Sequence, residues 1–443
     1  MDYQCLYLPI GVPTFHLESA QKEFDKSVFL LKSIDNNIVC PDEMLLGIDK
    51  LNAFSEGKTA DFVIVQNVTF ANGAFTTEIM RKFSCPAVLW TLREPVIDGG
   101  RLRLNSLTGA YSAANVMTSF NRSFEYIFGS PEEENTKKML AAYIKAGKLK
   151  KALTTLNVLQ IGHTPQGFGF GRAMDMDVAT KFGANLLSIE ARELIDMAKG
   201  YSDEDIAEYL ADAGKRIVDL NAVPEKNVKD FSRLYKAYYE YVKKNDIGAL
   251  SSRCWPDFFT AYGTPVCAVL AILNDLDVPS SCEADTYGAI SMYMGQYLSG
   301  KPTFFGDPVS MNEGENTVTF WHCGTAACSL ARTDTGAKAG VHCNRKIGPT
   351  LEFGCRAAKN ATIFRIGKDK YGYFRMFLST GEVLDKPQQF LGTSLVVKVS
   401  DAKNLVYGSV KRGWEPHFIV AMDDIKEEIK AICDFLDIEV EEF

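Results

Sequence analysis

Residues 280–307 read SSCEADTYGAISMYMGQYLSGKPTFFGD. Glu283 stands just before a helix-like apolar pattern, and Asp307 stands just after it, in a Gly-Asp-Pro turn. If this helix packs against a sheet, both carboxylates can emerge at the same edge, where a divalent cation or a sugar could bind. The plainer alternative is that Glu283 caps the helix and Asp307 only forms the turn.

The composition is that of an ordinary globular protein. The chain has 443 residues, of which 46% are hydrophobic and 23% are charged, which leaves room for two to four domains. A net charge of -8 and the lack of a long basic block argue against a nucleic-acid partner. The start of the chain has no signal-peptide pattern, no apolar run approaches membrane length, and the eleven cysteines lack the spacing of a disulfide scaffold. We therefore expect a cytoplasmic protein without a membrane partner.

Strand-like and helix-like patterns alternate over the first two thirds of the chain. Apolar runs such as FVIVQNVTF at 62–70 are separated by helical patterns, which predicts parallel sheets. Beyond Asp307, short β-rich runs between Gly, Asn and Asp turns predict an antiparallel sheet or barrel. The predicted fold class is α/β, with two Rossmann-like α/β domains at 1–155 and 156–310, followed by a β-rich, barrel-like C-terminal domain at 311–443.

One of the five histidines is a candidate metal ligand. His417 lies in GWEPHFIVAMDD, where Pro416 fixes the local backbone and an apolar strand follows. A single histidine is often structural. Together with Glu283 and Asp307, however, it forms a set of two carboxylates and one imidazole, which suits Mn²⁺ or another divalent cation with positions open to substrate oxygens.

A zinc cluster is a weaker hypothesis. It would use residues near one another in sequence, namely His322, Cys323, Cys328, His342 and Cys343. Their spacing contains no CxxC pair, and successive residues of a strand point to opposite faces, so we expect His322 and Cys323 to point apart. Two roles for His322 stay open, a packed one and one in a cleft with substrate or metal.

The glycine-rich run GFGFGR at 167–172 follows a strand and precedes a helix. Its G-x-G-x-G spacing differs from the dinucleotide fingerprint, so we interpret it as a flexible loop that ends at Arg172, and we expect this loop near the substrate. Cys254 has no evident base nearby in sequence and is a weak candidate nucleophile. Its neighbours Arg253 and Trp255 could form a polar and aromatic pocket wall, although such a pair is as often structural.

The region 254–294, with FFGDP at 304–308 and NTVTFWHCGTA at 316–326, resembles the central part of the L-fucose isomerase family. The likeness continues more weakly over most of the chain and is more distant for L-arabinose isomerase. It implies two α/β domains and a β-rich domain, with an active site at the junction of the last two. It also implies an aldose–ketose isomerase whose Mn²⁺ is held by Glu283, Asp307 and His417. It further implies a homo-hexamer, in which His16 or Trp90 completes the cleft of a neighbouring subunit.

The expected reaction passes through a cis-enediolate, with Glu283 and Asp307 as base and acid. The chain departs from the family in its shorter length and in Phe418 after His417, so the resemblance leaves the sugar open. We expect the substrate to be an L-fucose-like sugar or a C6-modified sugar such as sulfoquinovose. If the sugar carries an anionic group, Arg93, Arg172 or Arg253 would bind it. The rival hypotheses are a catalytically silent sugar-binding or regulatory protein, and an epimerase or lyase that shares the enediolate.

Overall fold

The computed structural model describes residues 3–443, which divide into two units. The first unit contains the chain up to Ala152 together with Glu427–Asp437, and the second contains Leu153–Lys426 with Ile438–Phe443. The first unit thus ends close to the predicted boundary at residue 155. The predicted boundary at residue 310 falls inside the strand Phe304–Asn312 of the second unit, and the division there stays a prediction.

The first unit is built on a parallel sheet whose strands lie in the order β1-β2-β3-β4. Three of these strands are buried along their whole length, as expected where helices cover both faces of a parallel sheet. The strands are β1 (Cys5–Ile10), β2 (Phe62–Asn67), β3 (Ala87–Thr91) and β4 (Phe124–Phe128). The helices between and after them are α1 (Leu17–Ile34), α2 (Ile48–Ser55), α3 (Gly73–Lys82), α4 (Ser106–Ser119) and α5 (Glu134–Leu153).

The second unit begins with another parallel sheet, in the order β6-β5-β7-β8. Its strands are β5 (Asn157–Ile161), β6 (Asn185–Ile189), β7 (Ala249–Ser252) and β8 (Ser280–Cys282). Its helices are α6 (Asp175–Phe182), α7 (Ala191–Lys199), α8 (Ala207–Arg216), α9 (Glu225–Lys244), α10 (Cys267–Asp275) and α11 (Thr286–Ser299). Helix α11 is the helix expected between Glu283 and Asp307, and it ends at Gly300, whose positive φ of 68° suits a glycine.

A large mixed sheet completes the second unit. Its strands are β9 (Phe304–Asn312), β10 (Thr317–His322), β11 (Lys338–Gly340), β12 (Thr350–Gly354), β13 (Ala358–Lys368), β14 (Phe374–Val383), β15 (Thr393–Val399), β16 (Phe418–Ala421) and β17 (Glu439–Glu442). Six of them pair antiparallel in a closed cycle, β9-β10-β15-β14-β13-β16 and back to β9. Parallel sheets followed by a large mixed sheet confirm the α/β class and the β-rich C-terminal region.

Two helices flank strand β16. Helix α12 (Ala402–Lys411) precedes β16, and α13 (Lys426–Leu436) follows it. From Glu427 onward α13 belongs to the first unit, and the apolar face expected from the sequence is buried, including Ile429 and Ile432. Among residues 3–443, no helix is long and apolar enough to cross a membrane.

Candidate active site

The three predicted ligands lie at the junction of the two sheets of the second unit. Glu283 directly follows β8, so it stands at the carboxyl end of the parallel sheet, where ligands of open α/β sheets bind. Asp307 lies within β9, and His417 directly precedes β16. Strands β9 and β16 pair with Phe418 opposite Gly306, which sets His417 beside Asp307.

Their side chains converge. His417 Nε2 lies 3.0 Å from Glu283 Oε2 and 3.7 Å from Asp307 Oδ1. His322, at the end of β10, joins them, because ligand atoms of Glu283, His322 and His417 all lie within 4.8 Å of one another. Carboxylate oxygens with imidazole nitrogen form a donor set that accepts Mn²⁺ and similar divalent ions. The structure therefore brings the predicted residues together, and their role as metal ligands stays a prediction.

A third acid, Asp285, orients the histidine. Its Oδ2 lies 2.9 Å from His417 Nδ1, and both side chains are buried. Asp285 also caps helix α11, because its Oδ1 accepts the Gly288 N–H at 2.9 Å. The alternative in which Glu283 caps this helix is wrong, since the capping side chain is that of Asp285 and the Glu283 carboxylate points to His417.

Arg365, from β13, supports this pair from inside the unit. Its guanidinium is fully buried, lies 3.4 Å from Asp285 Oδ2 and donates to the His417 carbonyl at 2.5 Å. A second carboxylate, of Glu415, lies 3.7 Å from its Nε. Burial raises the pKa of Asp285, but the charge of Arg365 and the hydrogen bond with His417 outweigh it and hold the pKa at about 2. Asp285 is therefore an anion at neutral pH.

The pKa values of the remaining titratable groups at the site are shifted in opposite directions. Burial acts to raise the pKa of Glu283, yet the hydrogen bond with His417 and the charge of His322 bring it below its usual value. Burial dominates at Asp307 and raises its pKa. Burial acts to lower the pKa of both histidines, but hydrogen bonds with Asp285 and Glu283 raise the pKa of His417. At His322 the neighbouring Cys323 thiol and the Asp307 charge raise the pKa to about 10.

The backbone at Glu283 is in an uncommon conformation. Glu283 has φ 58° and Ala284 has φ 54°, both in the left-handed region that side chains other than glycine seldom adopt. Such residues cost on the order of 1–3 kcal/mol each and cluster at functional sites. The turn aims the Glu283 carboxylate at His417 while Asp285 starts the helix.

A pocket of about 270 Å³ opens onto these groups. The residues around it are Cys254, Trp255, Glu283, Asp307, Trp321, His322, Cys323, His342, Asn344 and Arg345. Trp255 donates its Nε1–H to Glu283 Oε1 at 3.1 Å, so the predicted aromatic wall is in place. The size suits a small molecule such as a monosaccharide.

The glycine-rich run covers His417. The rings of Phe168 and Phe170 have centroids 6.5 Å and 5.2 Å from that of His417. The run approaches the site so closely that a Cβ on Gly171 would lie 2.8 Å from Asp285 Cα. The sequence did not mark Phe168 and Phe170 as site residues, apart from their place in a loop that was expected near the substrate.

Arg345 is the cation at the pocket that sequence reasoning missed. Its guanidinium lies over the rings of Trp255 and Phe259, at 5.2 Å and 4.9 Å from their centroids. Over residues 3–443, no carboxylate lies within 4.0 Å of the Arg345 guanidinium. It lies in the irregular segment between β11 and β12, where no periodic pattern singles out a residue.

The arginines proposed from the sequence have other partners. Arg253 Nε lies 2.8 Å from Asp257 Oδ2. Arg172 is exposed and hydrogen bonds Thr164, and Arg93 forms a two-pronged ion pair with Glu133 in the first unit. These contacts fit structural roles better than recognition of a sugar anion. The hydrogen bond from Arg172 to Thr164 Oγ1 is 3.3 Å long, and those from Arg93 to Glu133 are 2.6 and 2.9 Å long.

The two first-unit candidates are part of its framework. His16 is the N-cap of α1, and its Nδ1 accepts the Ser19 N–H at 3.3 Å. Trp90 is fully buried in β3 and donates its Nε1–H to the Gly129 carbonyl at 2.9 Å. The prediction that Trp90 lines a neighbour's cleft is wrong for this conformation, because its ring has no exposed face. The same prediction for the half-buried His16 stays a prediction.

The zinc hypothesis needs a correction in its geometry. His322 and Cys323 do not point apart, since His322 Nδ1 lies 3.4 Å from Cys323 Sγ. The expectation failed because β10 ends at His322, so strand alternation does not extend to Cys323. His342 instead packs against Phe259 at the pocket, with ring centroids 5.0 Å apart.

The chain is similar over its whole length to characterised enzymes, although no family model matches it. It is 58% identical over 442 residues to the sulfoquinovose isomerase of Clostridium sp. (strain MSTE9), which covers 99% of each chain. It is 35% identical over 439 residues to that of Priestia aryabhattai and 35% identical over 431 residues to that of Alkalicoccus urumqiensis, with 98% and 96% of each chain covered.

These relatives, with the paired acids in a sugar-sized pocket, define the class of protein: it is a sugar isomerase. The prediction of an isomerase enzyme is thereby confirmed. The chain belongs to the sulfoquinovose isomerase family.

Proposed function

We propose that the protein is a Mn²⁺-dependent aldose–ketose isomerase that acts on sulfoquinovose, a sugar with a sulfonate at C6. The observation that carries the proposal is the convergence of Glu283, Asp307 and His417 on one pocket, with His417 Nε2 at 3.0 Å and 3.7 Å from the two carboxylates. The family relationship supports the substrate, since the relatives are sulfoquinovose isomerases.

Glu283, Asp307 and His417 are the residues that would hold the cation. Their donor set is the chemistry that Mn²⁺ accepts. When bound, the cation would supply Lewis acidity at two neighbouring sugar oxygens. Asp285 and Arg365 would keep the imidazole in place, because the Asp285 carboxylate accepts from Nδ1 and leaves Nε2 as the ligand atom.

The two carboxylates at the pocket would move the protons. Isomerisation takes a proton from C2, returns one to C1 and exchanges carbonyl and hydroxyl character between the two oxygens, through a cis-enediolate. Glu283 and Asp307 share the roles of base and acid, since both face the pocket and each is partly accessible. His322 lines the same pocket, where its ring can hydrogen bond a sugar oxygen.

Arg345 would bind the sulfonate. It lies at the same pocket as Glu283 and Asp307, and its guanidinium has no carboxylate partner among the described residues. The planar guanidinium offers two parallel N–H donors to oxygens of an anion, and stacking on Trp255 and Phe259 limits its motion. The pocket therefore carries both the acids of the reaction and a cation for the substituent.

The proposal is tested by ¹H NMR of sulfoquinovose in D₂O with enzyme and Mn²⁺. We expect the C2 proton signal to disappear as a ketose signal grows. Glu283→Gln should abolish both changes, whereas Glu315→Gln, in the exposed turn between β9 and β10, should retain them. An epimer without ketose would replace the proposal by an epimerase, and bound sugar without any exchange would replace it by a silent binding protein.

The same proposal extends to assembly and family. On the resemblance described above, we propose membership of the L-fucose isomerase superfamily of folds, a cytoplasmic location and a hexamer in which His16 faces a neighbour's cleft. Light scattering of the purified chain measures the assembly directly. If a monomer isomerises sulfoquinovose at the full rate, a neighbouring subunit contributes no residue to the active site.

A further inference from the structure

Thiols gather directly behind the pocket. Cys254, Cys267, Cys282 and Cys323 are all buried in the second unit. Cys323 Sγ lies 3.8 Å from Cys267 Sγ and 3.4 Å from His322 Nδ1. Cys267, Cys282 and Cys323 are far apart in sequence, and they come together because α10, β8 and the end of β10 meet.

The spacing of three of these groups matches that of ligands on one ion. Ligand atoms of Cys282, His322 and Cys323 all lie within 4.8 Å of one another. In a tetrahedral site with Zn–S near 2.3 Å and Zn–N near 2.0–2.1 Å, two sulfurs lie about 3.8 Å apart and sulfur and nitrogen about 3.5 Å apart. The observed 3.4 Å between Cys323 Sγ and His322 Nδ1 agrees with the sulfur–nitrogen edge.

We propose that Cys282, His322 and Cys323 form a second cation site, which takes a thiophilic ion such as Zn²⁺. Sulfur ligands select such ions, whereas the oxygens of Glu283 and Asp307 select harder ones, so the two sites differ in the metal they prefer. Cys323 and Cys254 line the pocket, which gives an ion a route to the sulfurs.

The two sites share one residue. His322 belongs to the cluster of sulfurs and also to the group formed with Glu283 and His417. An ion bound to His322 Nδ1 would fix the orientation of the ring and leave its other nitrogen as an N–H donor. The ion in the thiol site would thereby determine the orientation of the His322 ring in the sugar pocket.

Cobalt spectroscopy tests the site without any measurement of turnover. Reduced, metal-free protein is titrated with Co²⁺, and a thiolate-to-cobalt charge-transfer band is expected at one equivalent. Cys282→Ala and Cys323→Ala should each weaken Co²⁺ binding at this band by more than about tenfold. Cys355→Ala, a matched buried cysteine of the same unit, should leave the band unchanged.

The outcome is independent of the proposed isomerase chemistry. Glu283→Gln and Asp307→Asn should keep the charge-transfer band, because neither side chain contributes sulfur. No band in the wild type, or a band that survives in Cys282→Ala and Cys323→Ala, would overturn the thiol site. If these variants do not fold, X-ray absorption of the Zn²⁺-loaded wild type decides, since sulfur neighbours at about 2.3 Å support the site and a shell of only oxygen and nitrogen refutes it.

Discussion

The Asp285 carboxylate and the His417 imidazole are paired inside the second unit, with 2.9 Å between Asp285 Oδ2 and His417 Nδ1. The pair fixes which ring nitrogen faces the pocket, because Nδ1 is occupied and Nε2 is turned to Glu283. Carboxylates in this position are what hold metal-binding histidines in one tautomer and orientation. The same aspartate starts helix α11, so the orientation of His417 is tied to the backbone of the helix.

Asp285→Asn should weaken Mn²⁺ binding by about 10–100-fold, because an amide holds the imidazole less strongly than a carboxylate does. Titration followed by electron paramagnetic resonance of free Mn²⁺ measures the affinity. Asp401→Asn is the matched control, since Asp401 caps α12 as Asp285 caps α11 and asparagine is also a good N-cap. Equal affinities of the two variants would contradict the orienting role.

The same Asp285→Asn substitution should lower the free energy of unfolding by about 3 kcal/mol or more. It removes one partner of a buried ion pair and leaves the Arg365 guanidinium with only the carboxylate of Glu415, at 3.7 Å. Urea unfolding of the metal-free protein gives the difference. For Asp401→Asn, which lies at an exposed helix start, a change within about 0.5 kcal/mol is expected.

Arg345→Met should reduce kcat/KM for sulfoquinovose by about 10–100-fold, as expected for the loss of charged hydrogen bonds worth about 1.5–3 kcal/mol. Slow turnover of an uncharged aldose such as glucose should stay the same or improve. Arg172→Met, which removes an exposed arginine of the glycine-rich run, is the control. If Arg345→Met slows both sugars equally, the residue does not read the sulfonate.

Asp307→Asn should lower kcat by about 10²–10⁴-fold, the usual contribution of a positioned acid or base. The amide keeps the shape of the side chain, so Mn²⁺ and sugar binding can be measured on the same sample to separate loss of chemistry from loss of ligand. Retention of the wild-type rate of deuterium incorporation at C2 would show that Asp307 takes no part in proton transfer.

Stability of the first unit should depend on pH through Glu125. Burial, with the neighbouring Asp434 charge, raises the pKa of Glu125 to about 7 from 4.5. A raised folded pKa means that the native state binds the proton more tightly, so stability is full below pH 4.5 and falls as pH rises to about 7. Glu125→Gln should flatten this slope in urea unfolding between pH 5 and 8 and raise stability at pH 8. An unchanged slope would refute the assignment.

The parts of the fold and site that follow local patterns could be predicted. The alternation of strands and helices, the helix between Glu283 and Asp307 and the apolar face of α13 all come from periodicity within one element. The closed cycle of six strands could not, because its pairs join segments far apart in the chain and no local pattern specifies them. That α13 belongs to the first unit was hidden for the same reason.

The site was only partly predictable because its supporting residues have no signal of their own. Asp285 lies two positions after Glu283, but its partner His417 is 132 positions away. Arg345 is one of many arginines, and only the fold shows that it lies at the pocket without a carboxylate. The expectation that His322 and Cys323 point apart was wrong because strand alternation was applied to Cys323, which lies beyond the end of β10.

Helix α13 gives the order of synthesis a structural meaning. The ribosome releases the chain from its N-terminus, so the residues up to Ala152 emerge long before Glu427–Asp437, which complete the same unit. Phe435 of α13 packs against Phe62 and Tyr143, with ring centroids 5.5 Å and 5.6 Å apart. The nascent first unit therefore lacks the contact with Phe435 until α13 has been synthesised, and a chain that stops before α13 carries its defect in the unit that was made first.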